Sequence, residues 1–126
     1  MPEVRSNFPL AMDEPGSLLF TVFRSPPKLL LIDTRSGSVT ASLTTCTDAD
    51  DVSFDCKRRR IYISCREGAG DVLQNDEAGT RQLARVKPSS GARTSLFVPE
   101  LDRLLVAAGA SLYGSQVSIL VFRPVP

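Results

Sequence analysis

The sequence repeats itself with a period of about 42 residues. Asp13 recurs as Asp55 after 42 positions, and Val98 stands at the equivalent place after a further 43. An apolar triplet or near-triplet begins six residues after each of these positions, at residues 19–21, 61–63 and 104–106. A fixed period of this length is the signature of repeated supersecondary units.

Each period contains several short runs that favour β-strands. Further β-prone runs follow the triplets, at residues 28–33 and 39–43, at 70–75 and 82–86, and at 116–122. Turn-forming residues separate them, and the third repeat shows no fourth run. Four short strands in about 42 residues are the content of one β-propeller blade. We therefore predict an all-β fold of about three four-stranded antiparallel propeller blades, the last one incomplete.

This interpretation divides the chain into a short tail and three repeats. The tail is residues 1–7 and the propeller repeats are residues 8–126, with blades at about 8–45, 48–88 and 91–123. Helical periodicity is absent, and nine prolines and eight glycines interrupt the apolar runs. A parallel α/β fold needs helical segments of 10 to 15 residues between its strands, so this class is excluded.

Composition removes several classes of function. The chain has no histidine, which excludes nucleophiles activated by histidine and metal sites built on imidazole. A net charge of +1 gives no attraction to nucleic acid or to anionic membranes. The sequence shows no signal peptide and no transmembrane run, so we expect no membrane partner and leave the compartment open.

The three cysteines do not form a recognisable motif. Cys46, Cys56 and Cys65 are spaced by 10 and 9 residues, which matches neither a CxxC redox pair nor a zinc ribbon. We expect them to be small buried thiols.

Several segments resemble the YVTN-family propellers. These are DADDV at 48–52, RRIYIS at 59–64, EG at 67–68 and, most specifically, GARTSLFVPELDRLLVA at 91–107. The resemblance covers residues 8–122 and implies a bacterial repeat protein, often exported and usually of seven blades. Cys65 and Arg66 depart from it, because small glycines are expected there. About three blades without a signal peptide suggest a fragment, a truncated gene product, or a half that must assemble.

Candidate site residues follow from propeller topology. The connections from second to third strand and from fourth to first strand emerge on one face, around the channel. We expect six charged residues on this face, which are Arg24, Asp48, Asp50, Asp51, Glu67 and Arg93. Together they predict a polar pocket for a cation, a polyol or an anionic group. The alternative is that the aspartates cap solvated turns and that Arg93 pairs with an acidic neighbour.

These features favour a non-catalytic module for ligand or protein binding or scaffolding through the channel-mouth face. The first alternative is a metal-dependent, lactonase-like hydrolase using Asp50, Asp51 and Glu67, although Asn7 and Asn75 are not placed to complete its ligand set. The second is an inactive fragment of a longer propeller. We predict no catalytic residue, no metal site and no cofactor.

Two further expectations concern partners. Three blades cannot close a ring comfortably, so the first and third should expose apolar faces and two copies could complete a six-bladed homodimer. A different protein could cover these apolar faces instead of a second copy. The basic run at residues 57–60 falls in a tight turn without aromatic neighbours, so we expect a solvated turn and no nucleic-acid partner.

Overall fold

The chain folds into three antiparallel sheets. The computed structural model describes residues 5–66, 68–86, 92–108 and 118–125. The strands are β1 (Arg5–Asp13), β2 (Leu18–Ser25), β3 (Pro27–Asp33), β4 (Val39–Thr44), β5 (Ala49–Asp55), β6 (Arg60–Cys65), β7 (Gly70–Asp76), β8 (Gly79–Val86), β9 (Ala92–Val98), β10 (Arg103–Ala108) and β11 (Ser118–Phe122). Within these ranges no helix is long and apolar enough to cross a membrane.

Each sheet is a meander whose strands follow chain order. Sheet 1 is β1 to β4, sheet 2 is β5 to β8, and sheet 3 is β9 to β11. The all-β prediction of three- and four-stranded antiparallel units is confirmed. β1 begins at Arg5, so strand structure reaches into the residues assigned to a tail. Residues 5–7 are polar, and it is the pairing of β1 with β2 from Arg5 onward that extends the strand to this point.

The first turn of each sheet has the same geometry. Asp13 pairs with Leu18, Asp55 with Arg60, and Val98 with Arg103, so each turn spans four residues. The last turn residue has a positive φ in all three sheets: Ser17 at 55°, Arg59 at 57° and Asp102 at 54°. None of these is glycine, although this left-handed conformation costs other residues about 1 kcal/mol. The sequence period is thus repeated in the backbone.

The main core lies between sheets 1 and 2. Alternate side chains of β2 and β3, including Phe20 and Leu29, are fully buried against Ile61, Ile63 and Leu73 of sheet 2. The rings of Phe20 and Phe54 stack with centroids 4.8 Å apart. Each buried side chain of this size stabilises the fold by about 1.5–3 kcal/mol. The first strands of neighbouring sheets pack together, β1 on β5 and β5 on β9.

Sheet 3 packs on the other face of sheet 2 through a smaller contact. Val106 is buried with Leu104 and Leu120 beside it. The Tyr62 and Phe97 rings are tilted, with centroids 5.5 Å apart. This second interface buries fewer large side chains than the first.

The expectation of three buried thiols was wrong. Cys46 and Cys65 are buried, but they form a disulfide with their Cα atoms 6.0 Å apart. Cys56 is the exposed, free cysteine of the turn between β5 and β6. The disulfide ties the connection between sheets 1 and 2 to the end of β6.

Candidate functional site

Arg24 and Asp50 form the first junction at the predicted channel mouth. Arg24 lies near the end of β2, and its Nη2 donates to Asp50 Oδ1 at 2.8 Å across the boundary between sheets 1 and 2. Its Nε also donates to the Ala49 carbonyl at 3.3 Å. Both side chains are largely buried, so this arginine and this aspartate hold two sheets together.

Asp51 forms the second junction. The backbone N–H of Ser95 in β9 donates to Asp51 Oδ2 at 3.1 Å, linking sheet 2 to sheet 3. Burial raises the pKa of Asp51, the Ser95 hydrogen bond lowers it in part, and the neighbouring Asp50 carboxylate raises it again. Beside it, the Ser64 and Ser95 hydroxyls lie 2.8 Å apart. Asp51 is therefore a partly desolvated carboxyl at a sheet boundary.

The remaining candidates are not brought into this junction by any described contact. Asp48 has a φ of 56°, and its carbonyl accepts a hydrogen bond from the Arg66 N–H at 2.8 Å. Glu67 lies outside the described residues. Arg93 belongs to β9, but its side chain lies outside the described part of the structure. The structure thus places Arg24, Asp50 and Asp51 at adjoining sheet boundaries.

The opposite end of the sheets holds an ion-pair network that sequence reasoning missed. Arg59 Nη1 donates to Asp13 Oδ2 at 2.7 Å, joining the first turn of sheet 2 to sheet 1. Its guanidinium also lies over the Phe54 ring, 4.9 Å from the centroid. Asp13 is only 1% exposed, so the pair neutralises a fully buried carboxylate.

Arg58 extends the network to sheet 3. Its Nη1 donates to Asp55 Oδ2 at 3.0 Å, and both terminal nitrogens donate to Asp102, at 2.6 and 2.8 Å. Tyr62 Oη donates to Asp55 Oδ2 at 2.8 Å, and burial raises the pKa of that tyrosine. The Arg58 side chain hydrogen-bonds to Asp102 and lowers the pKa of that carboxyl to about 2.

The expectation that the basic run is a solvated turn is wrong for two of its arginines, which form ion pairs. Arg58 and Arg59 are half-buried and reach in opposite directions, to sheet 3 and to sheet 1. The sequence feature that could have indicated these ion pairs is the recurrence of Asp13 as Asp55 at the repeat period. A repeated aspartate at a strand end, beside a turn rich in arginine, indicates a paired carboxylate.

A third buried carboxylate stabilises the disulfide region. Asp71 is 1% exposed and accepts hydrogen bonds from Arg85 at 2.7 and 3.1 Å. It also accepts the Cys46 N–H at 2.8 Å. Within the described ranges, no three cysteine, aspartate or glutamate side chains group closely enough to hold a metal ion. The described aspartates mostly bind arginines or backbone N–H groups of this chain.

One cavity begins beside the second junction, where Ser64 and Ser95 line it. It has a volume of about 310 Å³ and lies between sheets 2 and 3, towards their outer strands. Its walls are mainly aliphatic, and its polar members are Arg60, Tyr62, Ser64, Asp71, Ser95 and Arg123. The size is that of a small ligand pocket.

Comparisons with known proteins bear on the fold. No family model and no curated protein matches the chain. Among solved structures, yeast (Saccharomyces cerevisiae) Sqt1 matches with a TM-score of 0.70 and 11% identity, over 98% of this chain and 36% of Sqt1. A chain of the nidogen/laminin complex matches with a TM-score of 0.67 and 14% identity, over 90% of this chain and 47% of that chain. A Lactobacillus plantarum protein matches with a TM-score of 0.63 and 17% identity, over 97% of this chain and 43% of that protein.

These similarities concern architecture, because the identities are too low to carry function. The chain spans less than half the length of each of the three proteins. Three antiparallel meanders side by side, with their first strands adjacent, match these propeller-type neighbours. The chain therefore has a β-propeller fold.

Proposed function

We propose that this protein is a non-catalytic β-propeller scaffold, related to the YVTN propellers, that works by association through its two outer sheet faces. The segment with the most specific resemblance, residues 91–107, coincides with the β9–β10 hairpin. A binding role agrees with carboxylates that are held by arginines and backbone groups of the same chain.

The observation that carries the proposal is the apolar character of both outer faces. In β1, Ala11 packs towards sheet 2, while Leu10 and Met12 point the other way and are more than half exposed. In sheet 3, Phe97 and Val106 face sheet 2, while Leu96, Ile119 and Val121 occupy the other side and are about 60–67% exposed. Exposed apolar sheet faces of this kind mark association sites.

A second copy is the occupant that continues the architecture. Within the chain, each sheet covers its neighbour by packing first strand against first strand, β1 on β5 and β5 on β9. The outer face of sheet 1 in one copy can cover the outer face of sheet 3 in another by the same packing. Two such contacts related by a two-fold axis close a ring of six sheets without leaving an apolar face open.

Light scattering over a hundredfold concentration range tests this proposal. We expect a mass of two chains that persists on dilution into the low micromolar range. Val121→Glu places a charge on the outer face of sheet 3 and should give a monomer. Gln82→Glu, on an exposed position of β8 in the middle sheet, is the matched control and should leave the dimer intact. A parent protein that is monomeric at every concentration would falsify the proposal.

Ligand binding at the channel mouth is the second candidate. The observation that favours it is the raised pKa of Asp51 beside Asp50, because perturbed carboxyls are common at binding sites. Calorimetric titration with Ca²⁺, Mg²⁺ and Zn²⁺ separates it from the hydrolase alternative. Metal binding that disappears in Asp51→Asn would favour the lactonase-like hydrolase. A partner protein that binds Arg93→Ala more weakly than the parent, and whose affinity for the parent does not change when a chelator is added, would favour the binding module.

A further inference from the structure

The cavity between sheets 2 and 3 opens beside an unprotected strand edge. In the described part of the chain, β11 pairs with β10 on one side, and its other edge has no partner strand. The corresponding third strands, β3 and β7, each pair with a fourth strand. The outer N–H and C=O groups of an edge strand are a template for a further strand.

The composition of β11 leaves this edge open to pairing. Its five residues, SILVF, carry no charge, and most of their side chains are exposed. The edge strand of sheet 2, β8, carries Arg81 and Arg85 instead. Charged residues on an edge strand discourage pairing with other chains, and β11 has none.

The cavity beside this edge is lined largely by aliphatic side chains. Leu83 and Val86 of β8 line it, yet they remain 46% and 49% exposed. In sheet 1 the fourth strand places Ala41 and Leu43, two alternate residues, against the core shared with sheet 2. A strand added to β11 can place two alternate aliphatic side chains in the cavity in the same manner.

A buried donor on the cavity wall points to a ligand with carbonyl groups. Arg60 Nε is buried and has no hydrogen-bond partner in the described structure. Its Nη1 donates to the backbone carbonyl of Val125, so this guanidinium already binds one peptide carbonyl. A buried donor without a partner destabilises the fold, and a peptide carbonyl can satisfy it.

We propose that the β11 edge and the adjoining cavity bind an extended peptide segment of a partner protein by β-strand addition. The segment has small or medium aliphatic residues at alternate positions, and its backbone continues the sheet β9-β10-β11. Main-chain hydrogen bonds supply affinity and the cavity selects the alternate side chains. The cavity lies on the side of sheet 3 that faces sheet 2, whereas self-association is proposed through the opposite side, so the two proposals can fail separately.

A fluorescent peptide with the sequence SVTASLTT, residues 38–45, tests the proposal, because it contains β4, the fourth strand of sheet 1. Titration of the full-length protein, followed by fluorescence anisotropy, should show saturable binding below about 1 mM. Leu83→Asp should weaken it at least tenfold. Gln82→Asp, the neighbouring exposed residue directed away from Leu83, is the matched control and should bind as the parent does. Circular dichroism checks that both variants fold.

Two N-methylated peptides distinguish strand addition from simple hydrophobic binding. One carries N-methyl groups at the positions of Thr40 and Ser42, the other at those of Ala41 and Leu43. Alternate N–H groups of a strand point to opposite edges, so a strand on β11 uses one set only. We expect one methylated peptide to lose at least tenfold in affinity and the other to bind normally. Equal binding of both, or no binding of the parent peptide, overturns the proposal.

Discussion

Arginine–aspartate pairs between sheets are the main polar contacts at the scale of single residues. Arg59 reaches Asp13 in sheet 1, and Arg58 joins Asp55 to Asp102 in sheet 3. Asp13 and Asp55 are each 1% exposed. A buried pair gives little net stability over an apolar pair, but removing one partner leaves an uncompensated charge.

Arg58→Met should therefore destabilise the protein strongly. It leaves Asp55 with Tyr62 and the Arg58 backbone N–H as its donors, and we expect a loss of about 3 kcal/mol in the free energy of unfolding. Urea unfolding measures this. Arg81→Met breaks an exposed pair with Asp76 and should cost much less stability than Arg58→Met. Equal effects of the two substitutions would contradict a structural role for Arg58.

The Asp102 carboxyl should make stability fall in acid. Its hydrogen bonds to Arg58 lower its pKa from 3.8 to about 2 in the folded protein. The stabilisation is present above pH 3.8, because the unfolded chain takes up the proton first, and it is lost as the pH falls through 2. The difference in Tm between the parent and Asp102→Asn should shrink over this window. A constant difference from pH 7 to pH 2 would rule out this linkage.

Asp51 should show the opposite dependence. Burial raises its pKa in the folded protein, so its protonated form is favoured there. The resulting stabilisation is full below pH 3.8 and is lost as the pH rises through the folded pKa. Asp51→Asn keeps an acceptor for the Ser95 N–H and should be as stable as the parent or more stable at pH 7. Differential scanning calorimetry from pH 3 to pH 7 should show this advantage disappearing in acid.

At the scale of elements, the four-residue turns combine a shared backbone with different side-chain roles. Ser17 and Arg59 occupy the same left-handed position in the first turns of sheets 1 and 2. Arg59 binds the buried Asp13. The conformational cost is therefore offset by an ion pair in sheet 2.

Glycine at these two positions should have effects of opposite sign. Ser17→Gly relieves the left-handed backbone and should stabilise by up to about 1 kcal/mol. Arg59→Gly relieves the same conformation but leaves Asp13 without its arginine, so we expect a net loss of about 2 kcal/mol. Chemical unfolding of both variants gives the comparison. A gain in both would show that the Arg59–Asp13 pair contributes nothing.

The disulfide is the other link at this scale. Cys46 and Cys65 are 19 residues apart in the chain, and closing a loop of this length stabilises by about 3 kcal/mol. Reducing agent should therefore lower the Tm of the parent protein. Cys56→Ser removes the exposed free thiol and should leave both the Tm and its response to reductant unchanged. A Tm that is insensitive to complete reduction, verified by thiol titration, would contradict this expectation.

For the whole molecule, complementary charges provide a stringent test of the proposed head-to-tail dimer. Met12→Lys and Val121→Glu each place a charge on one outer face, and either should dissociate the dimer. The double variant brings a lysine and a glutamate to each interface, and it should regain part of the association. Sedimentation velocity at low and high salt measures this. An interface that joins two copies of the same face would give no recovery.

Much of the architecture could be predicted because it is encoded locally. Asp13, Asp55 and Val98 recur at one period, and each precedes a four-residue turn and an apolar strand. The candidate site could be predicted less well. Arg24 and Asp50 form an ion pair as neighbours at the predicted channel mouth. In the described part of the structure, no hydrogen bond or ion pair links the other candidate residues to this pair. Their neighbours belong to other repeats, and spacing within one repeat carries no information about such contacts.

The sequence by itself therefore determined the strands, their order within each sheet and the number of repeats, since alternation and turn chemistry act over a few residues. Only the tertiary structure decided which charges meet. Arg59 and Asp13 are 46 residues apart, and Arg58 and Asp102 are 44 apart. It likewise decided that Cys46 bonds to Cys65 while Cys56 stays free. These contacts depend on how one sheet packs against the next, which no local pattern specifies.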